Sequence, residues 1–398
     1  LYQQTSDEDS HLKYTALLAL RTNLAAKGII QQVATTQWNE DQQKVLVKAS
    51  LDIPSPEVAL FVLNYLKTHE LTAEEFGKNL EYIGRYVTAS QLNETVALVQ
   101  KQFETNQDGQ FALYGALRKG VAQSGLAATS NMQEWGVTMA RHYLELPIAE
   151  KEPAAVIARH VQAAEIAGEF KVASLETPLQ KWVQKKGADD KVRVAAANAL
   201  INISPKTNVT LIGEVFQERS ESVSLREKLA GVLARTPSPE VYTLLEKGLI
   251  GSARSLQIVI SGALANSEEG IDHLLHALKE ENINVDVLRE VAVKEKLAAK
   301  IKPKQQSQLD QLTAGTANEF EERQKLIQAR LTAFETAKAS ADAGRAVFAQ
   351  NCSTCHQIKG TGGLIGPQLD GIGNWGQKAL AEKILDPNRN ISEAFRNY

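Results

Sequence analysis

The sequence predicts an all-α chain, a long solenoid of paired helices followed by a short terminal domain. Three observations carry this. Apolar residues recur at the three-and-four spacing of a helix over roughly the first 300 residues, and strand-type alternation is absent. Similar helical units return every 31 to 33 residues, a period that marks repeat architectures. The only two cysteines, Cys352 and Cys355, fall in one small motif near the end of the 398-residue chain.

The clearest helical unit runs from Asp190 to Phe216. Val192, Ala195, Ala196, Ala199, Leu200 and Ile203 form one stripe on its first helix, and Ser204-Pro205 breaks it, because proline lacks an N–H and restrains the residue before it. The same grammar returns from Ser224 to Leu249, with a Pro237-Ser238-Pro239 turn, and from Ser255 to Leu278, with Asn266-Ser267 as the turn. Earlier in the chain, Gln43 to Leu66 carries Pro54-Ser55-Pro56 in the same place. Leu200, Leu233 and Leu264 occupy equivalent positions, and units near Ile83, Leu117 and Ile166 fit a similar spacing. One helical pair is too small to bury its apolar face alone, so neighbours stack into a continuous core and offer a concave surface for docking. The expected architecture over residues 1–300 is a HEAT-like solenoid of about seven or eight repeats, with a repeat shorter than that class usually has.

Residues 301–338 change character. Lys302-Pro303-Lys304 opens a segment rich in Gln, Glu and Lys, with Leu309, Leu312, Phe320, Leu326, Ile327 and Leu331 sparsely placed. It reads as a helical connector with a narrow apolar stripe. Ser340-Ala341-Asp342 then starts a helix in the last domain, residues 339–398.

Composition narrows the function classes. With 44 basic against 47 acidic residues the net charge is −3, which gives no reason to expect nucleic acid or an anionic membrane as partner. No apolar run of about 18 residues is present, so no transmembrane segment is expected in this chain. Two cysteines make neither a disulfide framework nor a four-cysteine zinc site. The chain opens on Leu1 rather than methionine, which reads as a processed chain or a piece of a longer one.

The decisive string is Gly344-x-x-x-Phe348-x-x-x-Cys352-x-x-Cys355-His356. C-x-x-C-H is the haem attachment signature. Two thiols on one helical turn reach the two vinyl groups on one edge of the porphyrin, and the adjacent histidine offers its imidazole to the iron. Phe348 is expected on the haem edge and Gly344 beneath a crossing helix. Downstream, Gly360 to Gly373 is glycine-rich and contains Gly366-Pro367-Gln368-Leu369, where the backbone is expected to pass close to the porphyrin. The ligand histidine needs an acceptor on its other ring nitrogen, and the Pro367 carbonyl is the candidate. Gln377 to Leu385 reads as a short helix stopped by Asp386-Pro387.

On these residues the last segment resembles a class I cytochrome c. The fuller pattern adds G-T-G-G-x-I-G-P-x-L-x-G-I-G and then Ile384-Leu385-Asp386-Pro387-Asn388-Arg389-Asn390-Ile391, and is similar to the planctomycete–verrucomicrobium-type haem-binding proteins. The string from His11 through Tyr14 to Arg21 resembles the start of the helical-repeat region in those proteins. The resemblance covers about 60 residues specifically and the solenoid loosely. It implies one covalent haem c with its iron, proximal ligation by His356, thioethers from Cys352 and Cys355, and contacts from Phe348, Gly366, Pro367 and Leu369. It also implies a periplasmic or otherwise exported bacterial protein, associated with the membrane through other domains or partners where it meets one. Electrons would come from a dehydrogenase-like domain or partner and leave to another cytochrome. The family usually takes methionine as sixth ligand downstream of the G-P-x-L loop. Here Met132 and Met139 both lie within the solenoid and none follows His356, so the haem domain looks incomplete at its C-terminus.

Other readings of the same residues stay open. The iron site could be open, making the chain a solenoid scaffold with a gas sensor, or a peroxidase-like enzyme. A redox dithiol at the cysteines lacks the βαβ pattern that usually surrounds one. His273 and His276, three apart on a helix, could hold a metal or bring a haem ligand, but a solvated helix face is the commoner outcome. His11, His69, His142 and His160 are isolated and read as structural or exposed. The glycine loop lacks the Gly-Lys-Ser/Thr ending of a phosphate cradle. Trp375 and Tyr398 could line the haem or fill core.

Overall fold

The computed structural model describes residues 2–6, 8–147, 149, 151–314 and 319–387, with the side chains of 319–321 excepted. Among these residues the chain forms 22 α-helices and one two-stranded ribbon of two residues a side, so the all-α expectation holds. It divides into two compact units, Leu1–Leu211 and Ile212–Tyr398.

In the first unit helices pack both on their successors and on the helix next but one. Ala73–Tyr86 lies on Gln107–Ser124, and Ala154–Glu169 on Asp190–Ile203. This layering is the solenoid-like pattern that paired helices require. Two contacts show what sets the spacing. A Cβ at Gly120 would sit 2.2 Å from the Glu81 carbonyl oxygen, and one at Gly84 2.7 Å from that of Leu117, so the backbones of Ala73–Tyr86 and Gln107–Ser124 meet there. At Gly168 an added Cβ would reach within 2.7 Å of Ala199 Cα on the neighbouring helix.

The second unit repeats the layering, with Val223–Leu233 on Arg254–Leu264 and Pro239–Leu249 on Glu268–Lys279. The turn serines act as helix caps. Ser55, Ser238 and Ser267 accept from the backbone N–H groups of Val58, Val241 and Gly270, and the prolines after Ser55 and Ser238 occupy the first helical position. Leu200, Leu233 and Leu264 are fully buried.

One recurring feature was not visible in the hydrophobic pattern. Arg193 is buried and its Nε donates to the Val183 carbonyl at 3.0 Å. Arg226, also buried, makes the same bond to the Phe216 carbonyl at 2.8 Å. Donors and acceptors both step by 33 residues, so each arginine closes the end of the helix before it, where carbonyls lack intrahelical partners. In the next unit Gln257 takes that place on the Leu249 carbonyl.

The connector forms two helices among the described residues, Pro303–Thr313 and Glu319–Thr336. Gln305 is buried and donates to the Glu268 carbonyl and to Asp272, docking the first on Glu268–Lys279. The expected stripe is thin: Ile327 is buried, whereas Leu309, Leu312 and Leu331 are half-buried and Leu326 is exposed. Glu319–Thr336 packs on Val285–Arg289 and on Gly376–Leu385, where Arg323 meets the buried Asp386 carboxylate at 3.0 Å.

Candidate haem site

Ser340 caps the helix Ala341–Asn351 by accepting from the Ala343 N–H. Phe348 lies half-buried on that helix, and its carbonyl accepts from the N–H of Cys352, the residue that ends it. The motif follows the helix rather than lying inside it. The Cys355 and His356 N–H groups both turn back to the Cys352 carbonyl, at 3.2 and 2.9 Å, so the two thiols share a single turn. Both cysteines are free thiols, Cys352 half-buried and Cys355 exposed.

The segment after the motif folds back along it. Gly363 N–H donates to the Ser353 carbonyl at 2.8 Å, Gly366 N–H to that of Cys355 at 2.7 Å, and Leu369 N–H to that of Gln357 at 2.9 Å. Gln357–Ile358 and Thr361–Gly362 pair as the antiparallel ribbon. This return places the Pro367 carbonyl 2.8 Å from His356 Nδ1, the partner expected from the sequence. With Nδ1–H donated there, the tautomer is fixed and Nε2 keeps its lone pair, the form a ligating imidazole needs.

The loop glycines Gly362 and Gly363 lie against the chain's own backbone. They admit the polypeptide to itself: a Cβ at Gly362 would fall 2.1 Å from the His356 carbonyl oxygen, and one at Gly363 2.2 Å from that of Thr354. At Gly366 it would meet His356 Cε1 at 2.6 Å, so the imidazole rests against bare backbone. No described residue comes within 4 Å of a Cβ built at Gly344, which leaves that face of the helix open among the described residues.

The segment fits a haem. From Ala341 to Leu385 no residue is buried, so this stretch has no apolar core of its own. Val347, Leu364, Ile365, Trp375 and Ile384 are exposed, Ile365 to 75%. Folded segments this small need a metal, disulfide or cofactor to stand in for a core. An apolar porphyrin, which Cys352 and Cys355 would hold through thioethers and His356 through its imidazole, would supply one.

The remaining candidates lie elsewhere. His273 and His276 converge on Glu246, each through Nδ1, the second at 2.5 Å. Among the described residues no group of three or more His, Cys, Asp or Glu side chains is arranged to hold a metal ion. His69 stacks on Tyr65 at 4.0 Å between ring centroids, and His142 meets Tyr143 edge-on. His11 is exposed. His160 is buried against Trp182, and burial pushes its imidazole below the usual histidine range. Met132 and Met139 are buried in the core of the first unit. Gly376–Leu385 is helical as expected and ends at Asp386, whereas Asn388–Ile391 and Tyr398 lie outside the described residues.

Residues 341–398 match the cytochrome c family model. No curated protein matches the chain. Among solved structures, one described as lipid–protein interactions in lipovitellin is 16% identical over 76% of this chain, with a TM-score of 0.39. The matched region spans 31% of that protein, and so distant a likeness contributes nothing to the functional reading. The terminal segment is therefore of cytochrome c type, which implies a covalently bound haem c with its iron and a function in haem-based electron transfer. Among the described residues no helix is long and apolar enough to cross a membrane.

Proposed function

We propose that this chain carries a single haem c, anchored through thioethers at Cys352 and Cys355 with His356 Nε2 as the proximal ligand, and relays electrons between protein partners outside the cytoplasm. The observation that carries the assignment is the His356 Nδ1–Pro367 bond at 2.8 Å beside two unpaired thiols on the same turn. The bound haem supplies one-electron chemistry. The polypeptide supplies the axial imidazole, its hydrogen bond and an apolar surround, the levers that set reduction potential.

The division of labour follows the sequence. Residues 1–300 form a HEAT-like scaffold, 301–338 connect, and 339–398 hold the haem. Phe348, Gly366, Pro367 and Leu369 frame it. The donor is a periplasmic dehydrogenase domain or partner, and the acceptor another cytochrome. The likeness of the haem segment to the planctomycete–verrucomicrobium-type proteins supports both roles.

The test is a reduced-minus-oxidised spectrum of the chain produced in cells that attach haem c, followed by titration with a soluble cytochrome. A c-type spectrum, lost in the Cys352→Ala/Cys355→Ala double variant, with reversible electron exchange, is the expected result. A spectrum that survives loss of both thiols contradicts the anchorage. A haem that never exchanges electrons with proteins but binds carbon monoxide at once contradicts the relay and favours a ligand-sensing or peroxidase-like site.

A further inference from the structure

Gln357 pairs with Gly362 and Ile358 with Thr361, which leaves Lys359-Gly360 as a two-residue turn with φ of +48° and +76°. Positive φ at both positions makes it the type I′ turn that matches strand twist. Asn-Gly suits such a turn. A lysine at the first position does not, because its Cβ crowds the following carbonyl. Something outside the turn must hold it.

Asp370 does. Its Oδ1 accepts the Lys359 N–H at 2.6 Å, and Oδ2 takes the Gln368 side-chain amide. One residue before it, Leu369 N–H reaches back to the Gln357 carbonyl at 2.9 Å. These bonds pin the far side of Pro367 to the ribbon, while Gly366 N–H pins the near side to the Cys355 carbonyl at 2.7 Å. Pro367 has no N–H of its own, so the place of its carbonyl depends on these neighbours. We infer that Asp370 is a positioning residue for the haem: by clamping the strained turn it fixes the Pro367 carbonyl against His356 Nδ1. The inference rests on His356 being the proximal ligand.

A firmly held acceptor raises the basicity of a ligating imidazole and favours the ferric state. Asp370→Ala should therefore move the midpoint potential of the holoprotein upward and speed amide exchange at Lys359 on the order of tenfold, the worth of one hydrogen bond. Asp370→Asn removes the charge and the acceptor for Gln368 but keeps one oxygen for the Lys359 N–H, so its smaller shift reads everything except the clamp on the turn, and its Lys359 exchange stays slow. Adding Lys359→Gly to Asp370→Ala relieves the turn and should return the potential to that of Asp370→Asn. The inference is overturned if Asp370→Ala and Asp370→Asn share one potential, or if Lys359 exchange is unchanged in Asp370→Ala. Should Asp370→Ala fail to retain haem, recovery of haem by the added Lys359→Gly supports the role and failure to recover it overturns it. A wild-type chain without haem defeats the underlying assignment instead, and is seen before any variant is made.

Discussion

His356 is held from two sides, by the Pro367 carbonyl on Nδ1 and by bare backbone at Gly366 under the ring. Gly366→Ala should drive a methyl group into the imidazole and tilt it off its acceptor. We expect a weakened axial bond, read as a changed ferrous spectrum and faster carbon monoxide binding than in wild-type holoprotein measured alongside, with haem still attached through the two cysteines. His160 tests a different side chain. Its folded-state imidazole is held low by burial, with Glu152 opposing the shift and Arg159 adding to it. The unfolded chain therefore takes up a proton that the folded one refuses. Stability is full above the ordinary histidine value and falls as pH drops from there toward the lowered value, by at most about 1.4 kcal/mol per pH unit. Urea midpoints between neutral and mildly acidic pH should show this slope, and His160→Gln should lose most of it. Of these residues, the Pro367 contact was readable in advance, because a ligand imidazole needs an acceptor and G-P-x-L offers one. The contact between Gly366 and the ring was not, since spacing alone does not say whether a glycine faces a cofactor or its own chain.

Helix boundaries followed sequence chemistry closely, because Ser55, Ser238, Ser267 and Ser340 each announce a start by capping it. What the hydrophobic pattern hid were contacts between elements. Gly84 and Gly120 lie 36 residues apart and look like ordinary interior glycines until their helices are seen to touch. Gly120→Ala should force those backbones apart and destabilise the first unit by ~1–3 kcal/mol, read as a lowered denaturant midpoint with unchanged haem content. The buried arginines escaped notice because charge usually marks a solvated face. Arg226→Met should leave the Phe216 carbonyl unpartnered and destabilise the second unit by ~1–3 kcal/mol in the same measurement. Three-residue spacing fits helix and turn alike, so the motif alone does not tell the turn at Cys352–Cys355 from a helix.

Across the molecule, burial is divided unevenly. The helical layers hold nearly every buried apolar side chain, whereas the stretch from Ala341 to Leu385 holds none and is tied to the connector through Arg323 and Asp386. We expect such a segment to depend on its cofactor for folding. Chain produced without haem attachment should be clipped by protease between 339 and 387 while its helical layers resist, and haem-bearing chain should resist throughout. The two-part economy of the chain was legible from composition, because cysteine and glycine concentrate where leucine thins out. The measurement that tests the account most directly is the mass and visible absorbance of the peptide spanning Cys352 to His356, released by digestion of denatured, haem-grown chain. Absorbance that travels with this peptide, at a mass increased by one haem, is the predicted result. Haem that washes away on denaturation, leaving the peptide at its free-thiol mass, contradicts it.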